Sequence, residues 1–553
     1  MKNNFFLLMC VLLATLLPEK LAAKSVDLPI KARFLNLPIS EKGKPMEMVL
    51  SIDGKELTHF KIRIANTTTP DYWMFYDLAA HKGKKLHIAY ADDTGLEHIY
   101  IGDRIADEDQ IYRETFRPQM HFSTRRGWIN DPNGLVYHDG EYHLFYQYNP
   151  YGVDWGNLNW GHAVSTDLVH WQELPLALAI DEYGEIYSGS AIIDQGNVSG
   201  LGKGKVPPML AYYTVQCRDG QTQCLAYSND RGRTLTKYAG NPLLDTRMNR
   251  GSWHNRDPKV FWYAPGEHWV MMLHEKDGIS IYHSTDLLRW EYSSHVAGIW
   301  ECPDLYELPI DGDKNNTRWV LQGAGGTYLI GRFDGKTFTP ESEKQCYASD
   351  RFYAPQTFSG IPDTDGRRIQ IGWANIRSKG MPFTGLMLFP TELSLHSSPN
   401  GPIRLYSKPV KEVEQLFTPV CTHPDTLTAE EANKLLSESL PAVDCAKVSC
   451  RITLSHPTNA GLLLDGQRIL DYDMIFSRVN GMFYTPQDPT SLSIDIDLYI
   501  DRNSIEGFVD GGRYMFAIER KPETENSALS FWYNMEAIAI TQLTISEGSS
   551  IWK

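Results

Sequence analysis

A chain of 553 residues is too long for one ordinary hydrophobic core, and roughly two to four domains are expected. Its formal charge of −15 argues against nucleic acid and anionic membranes as partners. The 14 Trp and 29 Tyr suit β-rich cores, and they also suit a protein whose ligand offers ring faces and hydroxyl groups.

At the start of the chain, Lys2 precedes an apolar run, 5–17, and Leu21-Ala22-Ala23 follows it. The run is too short to span a bilayer and has the length of a signal-peptide core, so residues 1–23 are expected to be removed on export. No later segment has the length and apolarity to cross a membrane. Without Cys10, seven cysteines remain. Cys217 and Cys224 flank a hairpin-like turn and are candidates for a disulfide. Cys302 reads as a packed free thiol, and no spacing suggests a zinc site.

Residues 24–110 read as a small β domain. The stretches 46–52, 60–64 and 85–90 alternate as half-buried strands do, with Asp53-Gly54 and Lys82-Gly83 as turns. An added sandwich that packs on the rest or assists its stability is one reading. A sugar-binding module is the other, with Tyr72, Trp73 and Tyr76 as its platform.

Residues 111–412 carry a weak internal repeat. Ser165-Thr-Asp-Leu-Val-His-Trp171 recurs as Ser284-Thr-Asp-Leu-Leu-Arg-Trp290, and looser copies run over 228–235 and 333–338. The copies end at positions 171, 235, 290 and 338, about 50 to 65 residues apart. An Asp-turn-aromatic unit at that period, with strands between, predicts a propeller of about five blades. Residues 410–416 are apolar at i, i+3 and i+6, which predicts a linker with helical character. Alternation then returns through 417–553, as in Ser491-Leu-Ser-Ile-Asp-Ile-Asp-Leu-Tyr-Ile500, so a C-terminal β-sandwich is expected over 413–553.

Three acidic motifs lie within the repeat region. Trp128-Ile-Asn-Asp-Pro-Asn-Gly134 reads as a tight turn holding the Asp131 carboxylate in one direction. Arg256-Asp257-Pro258 and Trp300-Glu301-Cys302-Pro303-Asp304 each set an acid beside a Pro and near aromatic residues. Alone, the first could be only a turn and the second only a structural ion pair. Inner strands of a propeller converge on one axis, so acids from about the first, third and fourth blades can meet there. Paired carboxylates are the usual equipment for cutting a glycosidic bond.

In this order and at these separations, the three motifs resemble glycoside hydrolase family 32, the invertases, exo-inulinases, levanases and related β-fructosidases. The resemblance runs from about Phe116 to the C-terminus. It implies an all-β chain: a five-bladed β-propeller catalytic domain, 111–412, then a C-terminal β-sandwich, 413–553. The N-terminal β domain, 24–110, is additional. It implies Asp131 as the nucleophile that forms a covalent fructosyl-enzyme, Glu301 as general acid and then base, and Asp257 as the transition-state stabiliser. The mechanism is retaining, with the Asp131 and Glu301 carboxyls expected about 5–5.5 Å apart. Among substrate contacts, the resemblance implies Asn130, Gln147, Ser188 and Arg256, with Trp155, Trp160, Tyr353 and Trp373 as walls. Tyr187 stands where many relatives have Phe. In the sandwich, the stretch from Asp501 to Gly511 matches the family, except that Gly507 replaces a hydrophobic residue.

The chemistry requires Glu301 protonated and Asp131 ionised near neutral pH. Burial beside Trp300 and neighbouring carboxylates are expected to raise Glu301. Turn amides and Asn130 are expected to hold Asp131 charged, and Arg256 to offset Asp257 and its neighbours. Neither a metal nor an organic cofactor is called for.

The reading is an exported retaining hydrolase, periplasmic, cell-surface or secreted, that releases terminal fructose from fructans such as levan and inulin and from sucrose. Endo-levanase or endo-inulinase action and fructosyl transfer are alternatives on the same scaffold. A binding protein without catalysis is disfavoured because all three acids are present. An inverting propeller enzyme acting on pentose polymers would show a wider carboxyl separation, about 6.5–9.5 Å. No nucleic-acid partner and no membrane insertion after signal cleavage are expected, and the oligomeric state is open.

Overall fold

The computed structural model describes residues 24–92, 95–245, 254–398, 401–486, 491–521, 528–534 and 538–552. The expected signal peptide, 1–23, lies outside the described residues. The chain divides into two units, one ending at Ala106 and one starting at Asp107.

The first unit pairs two sheets. Lys24–Pro29, Lys85–Tyr90, Met46–Ile52 and Lys55–Ile62 form the larger, and Tyr72–Asp77, Phe34–Ile39 and Tyr100–Gly102 the smaller. Inward side chains alternate, as in Met48, Leu50 and Ile52 against Leu86, Ile88 and Tyr90. Asp53 and Gly54 have φ of 53° and 73°, the double left-handed geometry that a two-residue hairpin needs. Tyr72, Trp73 and Tyr76 do not make one platform. Neighbours on a strand face opposite ways, and Tyr72 is buried.

The second unit opens with a five-bladed propeller. The inner strands of blades I to V are Gly127–His138, Glu185–Ile193, Asn255–Tyr263, Asp304–Ile310 and Phe352–Thr357. Each begins an antiparallel sheet running outward, and a parallel bridge between Ile310 and Leu395 joins blades IV and V. The sequence repeat has a physical basis. Asp167, Asp230, Asp286 and Asp334 each follow the third strand of blades I to IV and accept backbone N–H groups from the turn, as from Val169 and His170 or from Leu288 and Arg289. The aspartate replaces missing backbone partners and fixes the turn. The ring is closed by Phe383–Thr384, which pairs in parallel with Gly127 and Trp128 at the start of blade I.

A β-sandwich follows. One sheet contains Ala446–Leu454, Ser493–Ile500, Ser504–Val509, Tyr514–Glu519 and Ile538–Gly548, and the other contains Asn459–Leu464, Gln467–Asp473 and Leu529–Tyr533. A Cβ at Gly507 would come 2.1 Å from the Phe516 ring, which explains the glycine. The helical turn expected over 410–416 is confined to Lys411–Glu414. A longer helix, Ala429–Ser439, lies where alternation had suggested only strands. Thr428 and Glu431 form a capping box at its start, and Ala432 and Leu436 bury its inner face. All seven described cysteines are free. Cys217 stands opposite Gly220 and Cys224 opposite Tyr213, so the two thiols are not cross-strand partners and no disulfide joins them. Among the described residues, no helix is long and apolar enough to cross a membrane.

Candidate active site

The Asn130-Asp131-Pro132 stretch is part of a strand and not a tight turn. The blade I strand absorbs it with register shifts between Ile129 and Pro132 and between Asn133 and Val136. Proline lacks an N–H and is tolerated at such a bulge. Gly134 adopts φ 54°, and a Cβ there would meet the Phe145 ring at 2.7 Å. The same device recurs around the axis. Blade II shifts register at Tyr187/Gly189, blade III at Arg256/Lys259 and blade V at Tyr353/Gln356. Each bulge re-aims a side chain toward the axis: Asp131, Ser188, Asp257 and Tyr353. Glu301 precedes the blade IV strand. Asp257, Glu301 and Cys302 all hold positive φ, at 66°, 49° and 42°. Non-glycine residues in that region carry strain, and such strain gathers at functional sites.

Asp131, Ser188, Asp257, Glu301 and Tyr353 line one cavity of about 380 Å³. Asp131, Asp257 and Glu301 share its floor with Ser188 and Tyr353, and its walls include Gln147, Trp155, Tyr187, Arg256 and Trp373. Ser188 Oγ donates to Asp131 Oδ2 at 2.7 Å. The Cys302 thiol lies between two of the acids, 3.5 Å from Asp131 Oδ2 and 3.6 Å from Asp257 Oδ2, and its N–H donates to Asp257 Oδ2 at 3.0 Å. Arg256 donates from Nη2 to Glu301 Oε1 and lies 3.8 Å from Asp257. The Tyr353 hydroxyl donates to Glu301 Oε2 at 2.7 Å. Gln147 is buried with both amide atoms unpartnered among the described residues, as is Trp373 Nε1. Buried polar groups of this kind need partners, and the cavity is where a ligand's hydroxyls would supply them.

The charge order differs from the sequence expectation. Burial, then the charge of Asp257, pushes Asp131 up to about 7, with the Ser188 hydroxyl opposing. Burial also raises Asp257, against Arg256 and the Cys302 amide. At Glu301, burial is outweighed by Arg256 and Tyr353, which hold the carboxyl below its ordinary range. Trp300 is itself 48% exposed and stands edge-on to His274. Asn130 does not touch the Asp131 carboxylate; its Oδ1 accepts from the Asp131 N–H at 2.5 Å.

Trp160 is not a wall. It is fully buried between blades I and II against Phe145 and Tyr213, and its indole N–H donates to the Tyr187 carbonyl at 3.0 Å. It therefore braces Tyr187, which does line the cavity. Trp155, the other expected stacking residue, is 62% exposed at the rim. Sequence reasoning missed Leu158, Gln216, Gln221 and His254 in the lining. His254 is two residues before the Arg256 motif and was within reach of the same argument. Gln216 and Gln221 face each other across a hairpin, with Gln221 Nε2 donating to Gln216 Oε1 at 2.9 Å, and no local pattern marks them. Among the described residues no cluster of His, Cys, Asp or Glu could hold a metal ion.

Residues 121–409 match the glycosyl hydrolases family 32 N-terminal domain. The chain is 36% identical over 495 residues to a levanase of Bacillus subtilis, covering 81% of this chain and 72% of that protein. It is 32% identical over 497 residues to an extracellular exo-inulinase of Aspergillus niger, covering 75% of this chain and 91% of that one. The crystal structure of exo-inulinase from Aspergillus awamori superposes with a TM-score of 0.68 at 27% identity, over 80% of this chain and all (100%) of the other.

Proposed function

The chain belongs to glycoside hydrolase family 32, and from that premise we propose how its cavity releases fructose from fructans and from sucrose. The observation that carries the reading is the convergence of three acids from blades I, III and IV on one small cavity, with Cys302 touching two of them. Asp131 attacks the anomeric carbon and forms a fructosyl-enzyme. Glu301 protonates the leaving oxygen and then deprotonates water. Asp257 accepts hydrogen bonds from sugar hydroxyls that tighten as positive charge develops on the ring. Gln147, Arg256 and Trp373 meet the remaining hydroxyls, and Trp155 and Tyr187 wall the sugar. Asn130 orients the strand through its contact with the Asp131 N–H. This assigns the chemistry to residues 111–412, with 413–553 as a supporting sandwich and 24–110 as an added β domain. Extracellular relatives support export after removal of 1–23.

Arg256 shapes the catalytic cycle. While it holds Glu301 as a carboxylate, Glu301 cannot act as an acid. A bound sugar that draws the guanidinium toward its own hydroxyls frees Glu301 to take a proton, and Asp131, raised to about 7, is a near source of one. Substrate binding thus converts the resting charge order into the catalytic one.

The test is a product time course on levan, inulin and sucrose, with Asp131→Asn as control. Fructose alone from the earliest points is expected, with at least about a thousandfold loss in the variant. Early oligosaccharides would replace the terminal-fructose reading with an endo one. Release by Asp131→Asn equal to the parent would remove Asp131 from its role.

A further inference from the structure

The inner strands that carry the acids also frame a second cavity. Along the inner segment of each blade a catalytic-cavity residue comes first and second-cavity residues follow: Asp131 then Tyr137, Ser188 then Ile192, Asp257 then Lys259, Glu301 then Asp304, Tyr353 then Thr357. These steps of two to six residues, at about 3.3 Å each, put the second cavity's lining roughly 7–20 Å further along the inner segments, toward the opposite mouth of the ring. Its volume is about 720 Å³, nearly twice the 380 Å³ of the catalytic cavity.

Its lining has an aromatic rim and a polar floor. Trp262 is 46% exposed, and its indole meets that of Trp269 edge-on at 5.1 Å. On the floor, Asp304 is 1% exposed. Its Oδ2 accepts from Lys259 Nζ at 3.1 Å and from the Thr357 N–H at 2.7 Å, while its Oδ1 has no partner among the described residues. Arg368 lines the same cavity, partly buried, with its guanidinium 5.6 Å from the centre of the Tyr306 ring. Among the described residues its guanidinium donates no hydrogen bond, and its electrostatic partners are Asp304 and the Tyr306 ring. A buried acceptor without a partner is costly unless something enters to meet it, and the Arg368 guanidinium beside it has N–H groups to offer the same visitor.

The occupant's chemistry follows from what each choice would leave unsatisfied. An anion would face Asp304 and Glu307 on the same wall. An apolar segment would leave Asp304 Oδ1 without a donor and the Arg368 N–H groups without an acceptor. A neutral polyhydroxylated chain satisfies both, with a hydroxyl donating to Asp304 and accepting from Arg368, and it can lay a ring face against Trp262. We propose that the far mouth of the propeller is a second, non-catalytic glycan-binding site that holds another part of the fructan polymer. Only the choice of fructan rests on the function proposed above. A chain held there cannot offer the same end to the acids, so the site raises the local concentration of other ends and branches.

The test uses Trp262→Ala, Trp262→Phe and Arg368→Met in the full chain, each made in the parent and in Asp131→Asn. In the Asp131→Asn background, migration is measured through gels containing levan, inulin or dextran. We expect a fructan to retain the parent, and Trp262→Ala and Arg368→Met to weaken retention by about threefold or more, with Trp262→Phe restoring it. In the active background, KM for the polymer should rise by the same factor while kcat/KM for sucrose stays unchanged. Equal retention of parent and variants overturns the site, as does retention on dextran as strong as on fructan. An equal loss on sucrose also overturns it, because the effect would then lie in folding or catalysis. If the active parent cuts neither sucrose nor fructan, the proposed function falls, while the gels still decide the far mouth.

Discussion

At Asp131 and Glu301 the free enzyme holds its protons in the wrong order for the first step, and this has a measurable signature. The profile of kcat/KM against pH reports the free enzyme, and with the protons in this reversed order its acid limb breaks where Glu301 titrates and its basic limb where Asp131 does, as a coupled pair. Asp257 raises Asp131 by like charge. In Asp257→Asn the basic limb should therefore move to lower pH, even though the rate itself falls. Arg256 lowers Glu301, so in Arg256→Gln the acid limb should move to higher pH. Each substitution narrows the bell from a different side, and a limb moving outward would contradict the assignment. Ser188→Ala removes the hydroxyl that opposes the rise of Asp131, so its basic limb should shift upward. The three acids were legible in the sequence because each sits in a short motif of unusual residue types. Their charge order was not, because it depends on Arg256 reaching Glu301 across 45 positions of chain. Trp160 misled for a related reason. Its motif marks it, but the alternation of its strand turns it into the core between two blades.

The strands that bear Asp257 and Tyr353, and the one that follows Glu301, meet at a single buried node. Lys259 Nζ donates to the Thr357 carbonyl at 2.6 Å and pairs with Asp304 Oδ2, which also takes the Thr357 N–H. Gln356 ties the remaining blades in, donating to the Gly189 carbonyl and accepting from the Leu135 N–H. Removing one member of a buried pair strands the other charge and typically costs about 3–5 kcal/mol. Lys259→Met should therefore lower the thermal midpoint by several degrees. Its kcat should fall more than its KM rises, since the node positions acids and leaves the cavity walls in place. An unchanged kcat with a lowered midpoint would reduce the node to a structural role. The blade period was readable because an aspartate turn recurs at the same place in four blades. The bulges were not, because a register shift leaves no mark when only one strand of the pair is in view. The helix Ala429–Ser439 was readable in principle through Thr428 and Glu431, but alternation in the flanking strands hid it.

The propeller and the sandwich are joined through a buried histidine. His121 stands 2.7 Å from Asp501 Oδ2 and 2.7 Å from Glu506 Oε1, and Asp501 also accepts the N–H groups of Gln119 and Met120. Burial would lower the His121 pKa, but the two carboxylates raise it to about 9. Because the folded value lies above the ordinary 6.5, the stability it contributes is complete below about 6.5 and disappears as pH rises through about 9. Asp501 is held below its ordinary range, by His121 and the amides against burial, so its share is present at neutral pH and disappears in acid. The thermal midpoint of the parent should drop between about pH 7 and 10, and that of His121→Leu should start lower and change less over the same range. The ring has a clasp as well as a joint. Phe383–Thr384 pairs with Gly127 and Trp128, and the Gly127 N–H donates to the Pro382 carbonyl at 2.8 Å, three residues before Asn130. The approach to that clasp, Arg377 to Gly380, presents two exposed basic residues, Arg377 and Lys379. A single tryptic nick there would slacken the strand that aims Asp131 while the sandwich and the other blades stayed intact. In a timed digest, hydrolysis of sucrose should vanish with the first cleavage, well before the intrinsic fluorescence of the tryptophans changes.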